Sequence, residues 1–149
     1  MDILTPLLDW TESPYIAAYF AFRGDSSVDH QTCRVYALNM DELQRDSGSE
    51  QGALENPAPS LYPVRAATRD HNRALPQQSV FLLSNIVEIE VFLTRVEEQT
   101  HKRYLTKIDL RRASAKAALT ELRLMGITEA SLFPGLDGIC KELRNRFLG

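Results

Sequence analysis

The pair Ser13-Pro14 narrows the folding options of this chain more than any other feature. A serine oxygen ahead of a helix can accept from an orphan amide of the first turn, and a proline at the first helical position has no amide to leave unpaired. The spacing therefore predicts a helix that opens at Pro14 and ends at Gly24. Ile16, Ala17, Tyr19, Phe20 and Phe22 make that helix apolar almost all round, so it is expected to lie sandwiched inside the core. Just upstream, "ILTPLLDW" (residues 3–10) reads as a short strand or extended segment, with Pro6 confining it to a strand start or an edge.

Further along, "TCRVYALN" (32–39) alternates and is rich in strand formers, and Asn39 is placed to cap a short helix, "MDELQR". Residues 46–60 are polar, rich in Gly and Pro and without periodicity, which predicts a long surface loop. "LYPVRA" reads as extended, a helical turn is expected from Arg69 to Leu75, and "QQSVFLL" reads as a strand after Pro76. The stretch from residue 84 to 99 begins β-branched and alternating. It ends helical, with Ile89, Phe92, Leu93 and Val96 on one face. "YLTKIDL" is a strand, and "SAKAALTELRLMG" is a helix closed by Gly126, with Ala118, Leu119, Leu122 and Met125 turned inward. A last element from Pro134 sets Leu136, Ile139, Cys140, Leu143 and Phe147 along one stripe. Short strands mixed irregularly with helices give an α+β class, a small mixed sheet with packed helices.

At 149 residues the chain is expected to form one domain, 1–149. Its longest uncharged apolar run, Tyr15 to Phe22, is too short to span a bilayer, and Asp2 stands where an export signal would be basic. With Cys33 and Cys140 matching no metal or redox spacing, the expected location is cytoplasmic. His30, His71 and His101 have no carboxylate or cysteine at ligand spacing, which leaves no metal expected. There is no Gly-x-Ser-x-Gly elbow and no phosphate loop, and Glu97-Glu98 falls on an expected solvent face.

The net charge of −3 conceals an asymmetry: residues 1–100 carry 7 Lys/Arg against 15 Asp/Glu, residues 101–149 carry 10 against 5. Lys102, Arg103, Lys107, Arg111, Arg112 and Lys116 crowd together, a pattern that fits either a solvated helix face or a patch for phosphates or an acidic partner. Because no nucleic-acid motif accompanies these charges, nucleic acid is the weaker expectation.

Three segments in order resemble the FRG domain family. "TPLLDWTESPYIAAYFAF" is similar to the family's Thr-Arg-Leu-Leu-Asp-Trp-Thr-x-Ser-Pro hallmark and its following helix, through Thr5, Leu7, Leu8, Asp9, Trp10, Thr11, Ser13, Pro14, Ala18, Phe20 and Ala21. "RALPQQSVF" resembles the Gln-x-Gly-x-Phe region, with Gln77 and Phe81 matching and Ser79 replacing glycine. "SLFPGLDG" resembles the closing Leu-Phe-Pro-x-Leu-Asp-Gly segment, and Asp137-Gly138 would shape the turn into the last helix. The family's Phe-Arg-Gly on an upstream strand has no counterpart ahead of Thr5, and Pro6 replaces an arginine; Phe22-Arg23-Gly24 has the letters but sits after the helix. The resemblance thus implies a shortened FRG domain, a late start or a gene remnant, unstable alone and prone to aggregate or dimerise.

The resemblance also implies an outline similar to ADP-ribosyltransferase folds, NAD as cofactor, and a mobile-element or phage-defence setting. On that implication Asp9 and Gln77 are the catalytic candidates, and Trp10, Thr11 and Ser13 are candidates for cofactor binding by stacking and at a helix start. Each has a plainer reading: Asp9 as a turn brace, Trp10 as core, Ser13 as a cap. Three functions stay open: a transferase-like domain without its catalytic strand, an interaction module docking a protein partner or a second copy, and a nucleic-acid binder at 102–116.

Overall fold

The computed structural model describes residues 7–24, 31–47, 59–64 and 75–135. Strand β1 (Leu7–Thr11) leads into helix α1 (Pro14–Arg23), followed by β2 (Thr32–Leu38) and α2 (Met40–Ser47). Then come β3 (Leu61–Val64), β4 (Ser79–Ser84), α3 (Ile89–Thr100) and β5 (Leu105–Arg111). A 3-10 turn at Arg112–Ser114 opens α4 (Ala115–Leu124), and α5 (Glu129–Leu132) closes the described chain. The α+β class holds. In place of one small mixed sheet, however, the described strands form two small antiparallel sheets, ordered β1-β4-β3 and β2-β5. In the first, Leu61 faces Ser84 and Val64 faces Phe81, and Pro63 is tolerated because β3 is an edge.

The backbone divides into two compact units, each assembled from separate stretches of chain. One takes residues 1–9, 36–64 and 81–108; the other takes 10–35, 65–80 and 109–149.

In the first unit Leu43, Leu61, Leu82, Leu93 and Tyr104 are buried. Asn39 caps α2 as its residue type leads one to expect: its Oδ1 accepts from the Glu42 amide and its Nδ2 donates to the Glu42 carboxylate. Glu97 is half-buried rather than on a solvent face. Its carboxylate accepts from the amides of Tyr104 (2.7 Å) and Leu105 (2.8 Å), fixing the start of β5 after a turn through His101 at φ 57°. Asp46 accepts from Lys102 Nζ and from the Tyr104 hydroxyl, so the end of α2 is tied to the segment entering β5. Those hydrogen bonds, Lys102 first, hold the Asp46 carboxyl below its ordinary value, and Asp46 in turn holds Lys102 above its own. Burial raises the Tyr104 hydroxyl.

In the second unit Ile16, Tyr19, Leu122 and Leu132 form the buried cluster, with Leu119, Ile127 and Phe133 packed on it. Helix α1 is less enclosed than its composition implies: Tyr15 is 54% exposed and Phe20 39%. One face meets α4, and Phe20 lies edge-on to Phe133. Met125 is turned out to solvent, not inward, because α4 stops at Leu124 and Gly126 takes the left-handed turn (φ 81°) one residue later.

Among the described residues no helix is long and apolar enough to cross a membrane. The expected loop lies outside them for residues 48–58, as do the turn expected at 69–75 (except Leu75), His30, His71, Asp137, Gly138 and the terminal stripe from Leu136 to Phe147.

Candidate functional site

The sequence candidates converge where β1 hands over to α1. Ser13 is the N-cap, its Oγ accepting from the Ile16 amide at 3.4 Å, with Pro14 at the first helical position. Thr11, the last residue of β1, works in two directions. Its hydroxyl donates to the Gln77 carbonyl at 2.7 Å, and the same oxygen accepts from the Ser13 amide at 3.1 Å. Alongside, the Glu12 amide donates to the Gln78 carbonyl at 3.0 Å. Two adjacent carbonyls of the turn before β4 are therefore taken up by the two residues that precede the cap.

Gln77 is held from the other side as well. Its Nε2 donates to the Leu132 carbonyl at 3.0 Å, fastening the end of α5. The turn that presents these groups is strained at Gln78, whose φ of 48° is a left-handed conformation that side chains with a Cβ rarely adopt. Sequence comparison of the Gln-x-Gly pattern pointed to Ser79 as the place lacking glycine; the left-handed residue is its neighbour.

Trp10 is half-buried and Asp9 is exposed. Successive strand side chains leave on opposite sides, so Asp9 and Trp10 do not look the same way along β1. The structure joins Thr11, Ser13 and Gln77 through hydrogen bonds, and alternation gives Asp9 the same side of β1 as Thr11, with Trp10 on the other.

The Phe22-Arg23-Gly24 tripeptide has a structural task that sequence reasoning missed. Arg23 Nη2 lies 2.7 Å from the Glu129 carboxylate, which also accepts from the Tyr19 hydroxyl at 2.9 Å. The Arg23 guanidinium stands 5.9 Å over the Tyr19 ring. Glu129 is buried and opens α5, so this group ties the end of α1 to the start of α5. The only forward signal was the Thr128-x-x-Ser131 spacing, which forms a capping box here.

Two lysines in the first half of the basic segment are neutralised by ion pairs. Lys102 pairs with Asp46 and Glu42, and Lys107 pairs with Glu90. No group of three or more metal-ligating side chains is present among the described residues.

Residues 1–30 match the FRG domain family model. The match is partial. It covers β1 and α1, which hold Thr11 and Ser13, and stops short of Gln77 and of the "SLFPGLDG" segment. No curated protein and no solved structure matches the chain. The FRG segment thus contains the cap and the Thr11 hydroxyl, and its bonding partners come from outside the matched residues.

Proposed function

We propose that this chain is a non-catalytic binding domain of FRG type, in which Thr11, Ser13 and Gln77 brace the fold instead of meeting a ligand. The observation that carries this reading is the double engagement of Thr11, donor to the Gln77 carbonyl at 2.7 Å and acceptor from the Ser13 amide at 3.1 Å. A hydroxyl has one proton to give, and this one is spent on a part-buried carbonyl. One proton of the Gln77 Nε2 is likewise given to the Leu132 carbonyl. Binding through these groups would require exchanging bonds that hold two elements in place.

The partner proposed is a second copy of the chain. Tyr15 on α1 and Leu124 at the end of α4 are 54% and 82% exposed, and large apolar side chains of this exposure lose contact with water when a like surface covers them. The test is sedimentation across a concentration series, with Tyr15→Glu/Leu124→Glu beside the parent chain. A dimer that the double variant disperses supports the reading; a monomer at every concentration contradicts it.

The second reading, an ADP-ribosyltransferase-like domain with NAD as cofactor and Asp9 and Gln77 as catalytic residues, is favoured by the exposed Asp9 carboxylate on β1. Against it, the Thr11 hydroxyl proton, the Ser13 oxygen and one Gln77 amide proton are already engaged within the fold. NAD consumption by the purified chain, lost in Asp9→Ala, would favour this reading over the first. The nucleic-acid reading is weakened by the ion pairs of Lys102 and Lys107. Affinity for a polynucleotide that falls steeply with salt and disappears in Arg111→Ala would restore it.

A further inference from the structure

The segment Arg111-Arg112-Ala113-Ser114 combines four observations that the brace does not use. Two arginines stand three and two residues ahead of a serine. That serine is exposed, at the N-cap position of α4, yet its side chain makes no capping bond. The first turn of α4 has no acidic residue to complement its dipole, while Lys116 adds a further cation. Finally, Arg112 Nε is buried without a hydrogen-bond partner, a donor lacking an acceptor two residues from that serine.

We propose that Ser114 is a phosphorylation site for an arginine-directed serine kinase and that the phosphate completes the N-terminus of α4. Kinases of this class select substrates by charge, with carboxylates meeting arginines upstream of the acceptor. In the transfer, Ser114 Oγ forms a bond to the γ-phosphorus of ATP. The bond from that phosphorus to the bridging oxygen breaks, ADP leaves, and the hydroxyl proton passes to a carboxylate of the kinase. Several other hydroxyls are occupied: Thr94, Thr100 and Thr120 donate to main-chain carbonyls, and Thr128 and Ser131 close the box at α5.

Before modification the first turn of α4 has no acidic residue, and Arg111, Arg112 and Lys116 lie within three residues of Ser114 in sequence. A phosphoserine there adds close to two negative charges and three acceptor oxygens, complementing the helix dipole and the neighbouring guanidinium groups, while the Ala115 amide keeps its bond to the Arg112 carbonyl. Helix α4 carries Leu119 and Leu122 into the cluster with Ile16 and Tyr19, so firming its start stabilises that core. The modification also reverses much of the local positive charge.

The test treats the native full chain with Mg-ATP and the catalytic subunit of cyclic-AMP-dependent protein kinase, then maps phosphate by fragmentation mass spectrometry. The expected result is one phosphate, on Ser114, absent in Ser114→Ala and acquired much more slowly in Arg111→Ala, whose exposed side chain can be removed without disturbing the core. The phosphorylated chain should melt at a higher temperature than the untreated one, by a margin that shrinks with added salt. Phosphate on another residue, incorporation only after heat unfolding, an unchanged rate in Arg111→Ala, or a lowered melting temperature would each overturn the proposal.

Discussion

The Thr11 hydroxyl and the Gln77 carbonyl, 66 positions apart in sequence, are joined at 2.7 Å in a part-buried setting. Replacing Thr11 by Val keeps the shape and removes the oxygen, stranding both the Gln77 carbonyl and the Ser13 amide. The expected cost is about 1–3 kcal/mol in denaturant unfolding, with most of it recovered in Thr11→Ser. A Thr11→Val chain as stable as its parent would show that the bond carries no weight.

Ser13→Ala should cost about 1 kcal/mol, because the first-turn amide of Ile16 loses its acceptor in a buried position. Ser13→Asp should retain most of that stability, since aspartate is an equally good cap. Equilibrium unfolding of the three chains checks both expectations.

The strain at Gln78 and His101 provides a test of opposite sign. Both adopt left-handed backbone, φ 48° and 57°, where a Cβ crowds the following carbonyl. Gln78→Gly and His101→Gly should each be neutral to stabilising, by up to about 1 kcal/mol, the strain relief being offset in part by the freer unfolded chain. Thermal melts decide it, and a loss at either position would mean that the side chain makes a contact worth more than the strain.

Glu129 accepts from both Tyr19 and Arg23, and only Arg23 has water as an alternative partner, with 37% of its side chain exposed. Glu129→Ala should therefore cost about 1–3 kcal/mol, below the figure for a fully buried pair broken on one side. Glu129→Gln keeps an oxygen for Tyr19 and should cost less. If both substitutions cost the same, the charge rather than the hydrogen bond to Tyr19 dominates.

The pH dependence follows from Asp46 and Asp109. Hydrogen bonds from Lys102 and then Tyr104 lower Asp46, and the bond from Arg34 lowers Asp109. Each carboxylate binds its proton less readily folded than unfolded. The stability they contribute is therefore complete above the unfolded value of 3.8 and is lost as pH falls through their lower folded values. Asp46→Asn should flatten the acid limb of the stability curve. At the other extreme, Lys102 and Tyr104 titrate higher folded than unfolded; the Lys102 pairing is lost as pH rises past its raised value.

Local rules made much of this fold legible. Ser13-Pro14, Asn39 and Gly126 each mark a boundary through a backbone group that must be capped or turned, and the structure uses all three. The pairing of sheets was not legible, because alternation says which face a side chain takes and nothing about which strand lies alongside. The inward facing of Met125 failed since the helix ends one residue earlier, and the full enclosure of α1 failed at Phe20 since composition counts apolar residues without locating their neighbours. The task of Arg23 was not legible either, since its partner Glu129 is 106 positions away, beyond any spacing rule. For the candidate site, sequence named Thr11, Ser13 and Gln77 but could not tell ligand contacts from a brace, because both need the same polar atoms.

Trp10 is the sole tryptophan and precedes Thr11, so its fluorescence reports directly on whether this junction receives a dinucleotide. Titrating the full chain with NAD should leave the emission unchanged apart from optical absorption, with the Asp9→Ala chain behaving identically. Saturable quenching that Asp9→Ala abolishes would contradict the account.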